Sequence, residues 1–318
     1  MKQIPGFPSS GKLQKLADVL DEALLLLESQ GKESGSSALP ANIQPSLFEQ
    51  CIELCRQVEG REAEPIRTLH QLSCTGGTLI TKCLAAMPNV FVLNEVDPLS
   101  NMLFDSEKPK FTPTDMLSLV RQGDNQISDE VIINLFIQNL KTLRNELSLK
   151  GKRLLLRDHS HSHFLMDRQG KERKTVLTMV AEHFETLSVV TVRNPLDSFL
   201  SLDTLSWKSF QPFNLEEYCA RYIRFLDAYQ GIPVFRYEDF VNEPEKNMEQ
   251  MCQLLKLPYS PHFAETFDVF RFSGDNGRGG MKIKPRARRP YDGSLKDDAK
   301  NSASYQILIS RLGYESFC

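Results

Sequence analysis

Four short stretches of the 318-residue sequence carry residue types suited to holding an anion or moving a proton. The first is Ser73-Cys74-Thr75-Gly76-Gly77-Thr78. Its two glycines let the backbone approach a ligand and expose successive N–H groups, and its hydroxyls are further donors. A helix after the loop would add its positive end, so a phosphate or sulfate fits this chemistry. The nucleotide-loop pattern G-x-x-x-x-G-K-[ST] is not met, because no lysine stands where that pattern needs one. The second stretch, "RNPLDSFLS", places Arg193 before a capping Asn194, a first-turn Pro195 and, two turns on, Ser201. Its Phe199 and Leu200 are expected to point inward, while the forked, permanent charge of Arg193 suits phosphate.

The third stretch, "RDHSHSHFL", holds His159, His161 and His163 at alternate positions. On an extended segment alternate residues share a face. Two chemistries are then open: metal ligation by two of the three, for which no carboxylate or cysteine pattern lies nearby, and general-base catalysis, since imidazole titrates near neutral pH. The fourth stretch runs from Arg271 to Arg289 with seven Lys/Arg against one Asp (Asp275). Its glycines (Gly274, Gly277, Gly279, Gly280) make it a flexible basic lid able to close over a bound nucleotide. Each stretch also has a plain structural reading: a glycine turn, a strand-end arginine paired with an acid, a hydrogen-bonded loop, a solvated basic segment.

These loops need a framework. "IRTLHQL" before the glycine loop, "VFVL" (90–93), "RLLL" (153–156), "LSVVTV" (187–192) and "IPVFRY" (232–237) read as strands. Between them lie helical runs. "TLITKCLAAM" follows the glycine loop, and residues 115 to 149 carry Val131, Leu135, Phe136, Leu140, Leu143 and Leu147 as one stripe. Val176, Leu177, Val180, Ala181 and Phe184 form another, and a helix from Pro244 turns Met248, Met251, Cys252 and Leu255 inward. Strands alternating with helices imply βαβ units and a parallel sheet covered on both faces. In such a fold ligands bind beyond the carboxyl ends of the strands, which directs attention to the loops after "IRTLHQL", "RLLL" and "LSVVTV". The first 60 residues are different in kind. Leu13, Leu16, Leu20, Leu24 and Leu27 predict an amphipathic helix over 12–29, a Gly/Ser/Pro-rich linker follows, and a short helix is expected over Leu47 to Val58. The expected division is therefore a helical extension over 1–60 and one α/β domain over 61–318.

Composition narrows the class. The chain is 41% hydrophobic and 25% charged, ordinary for a globular protein, and its net charge of −3 argues against a dedicated nucleic-acid binder. The seven cysteines show no C-x-x-C pairing or zinc spacing, as expected of free thiols in a reducing compartment. The N-terminus "MKQIPGFPSSGK" lacks an apolar signal core, and "ALLLL" is too short to span a bilayer. A cytoplasmic protein without a membrane span is expected.

Taken in order, these stretches resemble the sulfotransferases that use 3′-phosphoadenosine 5′-phosphosulfate (PAPS), over roughly residues 66 to 290. Ser73 to Thr78 match the family's loop after the first strand. Arg193, Pro195 and Ser201 match its R-x-P-x-x-x-x-x-S signature in type and spacing. "FRYEDFVNEPEKNMEQMCQLLKLP" (235–258) is similar, almost throughout, to its R-Y-E-D-[LF] segment and the helix that follows.

The resemblance implies a P-loop NTPase-like three-layer fold around a parallel sheet. It also implies transfer of a sulfuryl group from PAPS to a hydroxyl or amine of a small molecule, lipid or saccharide, leaving PAP. Ser73, Cys74, Thr75, Gly76, Gly77 and Thr78 would hold the 5′-phosphosulfate. Arg193 and Ser201, with Gly277, Arg278 and Gly279, would hold the 3′-phosphate, and Tyr237 is placed among the donor-binding residues. His159 is the expected base, because Arg157-Asp158-His159 follows its strand as Lys-x-His does in cytosolic members; His161 is the second candidate. Sulfate carries less charge than phosphate, so no metal is expected.

The departure is Cys74, which occupies the place of a lysine or arginine; Arg157, Lys82, Arg278 and His70 are candidates to supply that cation. Residues 95–130 and 202–215, including Trp207, Phe210 and Phe213, are expected to line the acceptor pocket. The competing readings are a non-catalytic PAP- or PAPS-binding module and another P-loop enzyme such as a small-molecule kinase. The sequence leaves homo-oligomerisation and the acceptor's identity open.

Overall fold

The computed structural model describes residues 63–102, 115–122, 127–167, 173–273, 282–291 and 293–315. The helices expected at 12–29 and 47–58, the linker between them, and Gly277-Arg278-Gly279 lie outside these residues. From Glu64 to Cys318 the chain forms one compact unit. Its elements are, in order, β1 (Ile66–Gln71), α1 (Gly77–Ala85), β2 (Val90–Val96), α2 (Met116–Arg121), α3 (Asp129–Leu149), β3 (Arg153–Asp158), α4 (Ser160–Phe164), α5 (Val176–Ala181) and β4 (Thr186–Val192). After β4 come α6 (Pro195–Thr204), α7 (Leu215–Ala228), β5 (Val234–Arg236), α8 (Tyr237–Asn242), α9 (Pro244–Leu254), α10 (Phe263–Thr266), α11 (Gly293–Asn301) and α12 (Ala303–Leu312).

The five strands pair in parallel in the order β2-β3-β1-β4-β5. β1 is buried along its whole length because it has a neighbour on each side and helices above and below. Side-chain alternation splits the core between the two faces. Leu69, Leu155 and Val189 pack with Ile80, Leu84, Met248 and Met251 under α1 and α9. Ile66, Leu154 and Leu156 meet α3 and α5 on the other face, where Val190 and Val192 meet α7 and α12. Each such fully buried aliphatic side chain contributes about 1.5–3 kcal/mol. Three layers and a parallel sheet agree with the expected architecture.

Three local expectations are corrected. The buried stripe of α3 is Ile132, Ile133, Phe136, Ile137, Leu140 and Leu147. Val131 is 43% exposed, because the 132/133/136/137/140 set completes the i, i+3/i+4 rule that Val131 would break. β5 covers only 234–236. Pro233 has no N–H to give the ladder, although its carbonyl accepts from Val190 N, and Tyr237 already opens α8. The histidine run is not extended: residues 160–164 are the short helix α4, with His159 as its N-cap. Among the described residues no helix is long and apolar enough to cross a membrane.

Candidate active site

A cavity of about 1050 Å³ opens beyond the carboxyl ends of the first four strands. Its wall takes Ser73, Cys74, Gly76, Gly77 and Thr78 after β1, Glu95 and Asp97 at the end of β2, and residues 157–161 after β3. Arg193, Ser201 and Tyr237 complete the side facing the glycine loop.

The loop itself is built for close approach. Cys74 and Gly76 have φ of 64° and 87°, in the left-handed region. A Cβ on Gly76 would lie 2.1 Å from the Tyr237 ring, and one on Gly77 1.2 Å from the Gln71 amide. Position 76 therefore needs glycine for both backbone and space, while at position 77 a side chain would have to push the Gln71 amide aside. Helix α1 begins with no side-chain cap and no acid in its first turn, so nothing on its own chain neutralises the positive end of its dipole beside the loop. Thr75 is the exception among the expected contacts. It is fully buried and its hydroxyl donates to Leu72 O at 2.7 Å, so it props the loop from behind.

The second signature folds back onto this loop. Asn194 caps α6 by accepting from Leu196 N and Asp197 N, and Pro195 sets the first turn. The helix then returns Ser201 to Arg193, whose Nη1 contacts Ser201 Oγ at 3.5 Å and Cys74 O at 3.1 Å. The guanidinium lies 5.0 Å over the Tyr237 ring, within cation–π range. Its Nε is buried and makes no hydrogen bond among the described residues. The side chain lines the cavity, so its charge is available to an anion bound there.

Of the candidates to replace the cation missing at Cys74, two reach the cavity and one does not. Arg157 donates from Nη2 to Thr78 Oγ1 at 3.1 Å and from Nη1 to Asn94 Oδ1 at 2.7 Å, and it pairs with Glu95 at 2.6 Å. With its amide oxygen turned toward Arg157, Gln71 accepts from the same guanidinium. Burial lowers the pKa of Arg157 and Glu95 opposes the shift, but an arginine stays charged. Lys82, one turn along α1 from Thr78, is buried and also lines the cavity. His70 is corrected to a core residue. It is 0% exposed, holds Asp158 at 2.8 Å and Thr68 Oγ1 at 2.9 Å, and stacks on Tyr229.

The three histidines separate. In α4 the steps i, i+2 and i+4 no longer share one face. His159 lines the cavity, its Nε2 3.5 Å from Glu95 Oε2. His161 is buried between Ser73 Oγ (2.5 Å from Nδ1) and Ser209 Oγ (3.4 Å from Nε2). Ser209 donates its hydroxyl proton to Leu165 O, so at His161 it can only accept, which puts the ring proton on Nε2 and makes Nδ1 the acceptor from Ser73. Burial, with a smaller contribution from His159, pulls His161 down to about 4, so the ring is neutral at neutral pH. The Ser73 proton therefore points at His161. His163 stacks on Phe164.

Of the expected aromatics, Trp207 lines the cavity with its ring edge-on to His161, but Phe210 and Phe213 do not. Phe210 is 1% exposed, and Phe213 stacks on Phe199 at 5.1 Å, so both belong to the core. Met102, Leu117, Arg121 and Ser209 take their places in the wall.

Two acidic residues of the 95–130 stretch line the cavity as expected and take partners there that the sequence did not indicate. Glu95 bridges Arg157 and His159 from a left-handed φ of 58°, where the β2 register shifts between Leu93 and Val96. Asp97 is gripped by Arg173 and Ser162; burial pushes its carboxyl up, but these partners outweigh it and hold it below its usual range. The available signal was "LNEVD", two acids directly after an apolar strand.

Residues 72–261, more than half of the chain, match the Sulfotransferase family. Among solved structures the chain is similar to a sulfotransferase from Alicyclobacillus acidocaldarius, at 12% identity and a TM-score of 0.41, over 80% of this chain and 98% of that one. It is also similar to mouse sulfotransferase SULT7A1 complexed with PAP, at 10% identity and a TM-score of 0.37, over 79% and 84%. No curated protein gives a match. Likeness at these TM-scores assigns no residue. The family match spans the glycine loop, the histidine helix, the Arg193 turn and the R-Y-E-D segment: the chain belongs to the sulfotransferase family.

Proposed function

We propose that the protein transfers a sulfuryl group from PAPS to a hydroxyl or amine of an acceptor, with PAP as the second product. The observation that carries this reading is that the Arg193 guanidinium and Ser201 line the same cavity as the glycine loop, beside each other and with no carboxylate on Arg193 among the described residues, while the helix after the loop has no side-chain cap. These groups fit two separated anionic ends. Gly76, Gly77 and Thr78 would hold the 5′-phosphosulfate, and Arg193 with Ser201 the 3′-phosphate, with Tyr237 packed against both sets. When bound, PAPS supplies the sulfuryl group and PAP leaves with the bridging oxygen.

The chain's own work is positioning and charge stabilisation. Arg157, fixed on Thr78, supplies the charge that Cys74 lacks, with Lys82 behind it. His159 is the base that takes the acceptor's proton, and Glu95 orients its ring. His161 is ill suited to that role, since its lowered basicity and its place between Ser73 and Ser209 make it a brace. The buried thiols Cys83, Cys219 and Cys252 support a reducing, cytoplasmic setting.

The test is a thermal melt with PAP and with ATP-Mg²⁺, followed by transfer of labelled sulfate from PAPS to a metabolite panel. PAP should raise the melting temperature and ATP-Mg²⁺ should not. The reverse pattern would favour a P-loop kinase, and PAP binding without transfer would favour a binding module.

A further inference from the structure

The first turn of α8 engages, with successive side chains, every part of the Arg193 site. Tyr237 packs its ring against Gly76 and under the Arg193 guanidinium. Glu238 Oε1 accepts from Asn194 N at 3.0 Å, and its Oε2 accepts from Tyr314 OH at 2.7 Å. Arg236 holds Asp239 through two hydrogen bonds, donates to Gly313 O at 3.0 Å and lies 5.3 Å over the Tyr314 ring. Gly313 ends α12 with φ 68°, the left-handed turn that brings Tyr314 back onto this cluster.

From the other side, Tyr222 OH accepts from Arg193 N at 3.1 Å and donates to Arg193 O at 3.3 Å. The backbone N–H and C=O of Arg193 and the N–H of Asn194 are thus all gripped by side chains. The guanidinium is held differently: among the described residues it has no carboxylate partner. Its direction is set by the clamped backbone beneath it, by the Tyr237 ring and by the hydrogen bond from Nη1 to Cys74 O, neutral partners that leave its charge for a ligand.

We propose that Glu238 and Tyr314 are positioning residues for the Arg193 anion site, so that recognition of the donor's 3′-phosphate depends on the turn that ends α12. The proposal rests on the donor reading given above. Glu238 touches no ligand in this account. Its carboxylate fixes the Asn194 amide, and the Tyr314 hydroxyl keeps the second carboxylate oxygen turned toward the C-terminal turn.

The experiment is calorimetric titration of the full chain with PAP and with AMP, which lacks the 3′-phosphate. Glu238→Ala should weaken PAP by about tenfold, the size of one charge-assisted hydrogen bond. Tyr314→Phe, a milder change that keeps the ring, should weaken it by about threefold. AMP affinity should stay within about twofold in both, so that the PAP-over-AMP preference falls. Glu238→Gln should restore most of that preference, because its amide oxygen can still accept from Asn194 N. A purely structural role would move the melting temperature and both ligands together. An unchanged PAP-over-AMP preference in Tyr314→Phe and Glu238→Ala overturns the proposal while leaving the donor reading intact. A wild-type chain that shows no preference for PAP over AMP overturns both.

Discussion

The two ends of the cavity are built by different rules. At the glycine-loop end the wall comes from two short runs of sequence. Ser73 to Thr78 follow β1 directly, Arg193 follows β4, and Ser201 is carried back by less than three turns of α6. The rest of the wall gathers Glu95, Asp97 and His159 from the ends of β2 and β3, and Met102, Leu117, Arg121, Trp207 and Ser209 from loops and helices far apart in sequence. The proposed anion contacts are written in backbone conformation and short spacings. The acceptor end is assembled from side chains whose neighbours only the tertiary fold decides.

The largest expected effect breaks the acceptor end without touching the donor end. His159→Ala should lower turnover by about 10² to 10⁴-fold, with PAP affinity unchanged, as measured by labelled-sulfate transfer beside a PAP titration. Full turnover at saturating PAPS would move the base elsewhere, with Glu95 the nearest group.

The aromatics sharpen the contrast. Phe210→Ala should cost about 3–5 kcal/mol of stability in a denaturant melt, as a core truncation does. Trp207→Ala, at a side chain 37% exposed, should cost less than about 1 kcal/mol and instead change the acceptor concentration needed for half-maximal rate.

His161 should respond to acid. Its folded pKa of about 4 lies below the ordinary histidine value, so between those two values the unfolded chain binds more protons than the folded one. Stability is then fully present above about pH 6.5 and falls as pH drops toward 4, by on the order of 3 kcal/mol. His161→Asn should remove that part of the slope in denaturant melts taken across the window.

The same contrast explains what could be read from the sequence. β4 was legible from its β-branched and apolar residues and β1 from its place directly before a glycine loop, and the spacing of Arg193, Pro195 and Ser201 maps directly onto a strand end and two turns of helix. The end of β5 was not, since Pro233 and the helix at Tyr237 trim a run that looks longer. The three histidines alternate in sequence, but the two-residue period of an extended strand does not hold there. Ser162 N bonding to His159 O closes a helical turn instead, and each ring finds a different neighbour. His70, charged-looking at a strand end, is claimed by Asp158 and Tyr229 across the sheet, contacts that have no signature in the sequence. Glu95 falls in the 95–130 stretch expected to line the pocket, but its pairing with Arg157 and His159 depends on a bulge in β2 and has no signature in the sequence.

Titration of PAP into wild type and Arg193→Ala probes the proposed grip of Arg193 and Ser201 on the donor's 3′-phosphate. Wild type should bind PAP, and the variant should lose about 1.5–3 kcal/mol, roughly 10- to 150-fold in affinity, with its melting temperature little changed. Equal PAP affinity in the two proteins would contradict it.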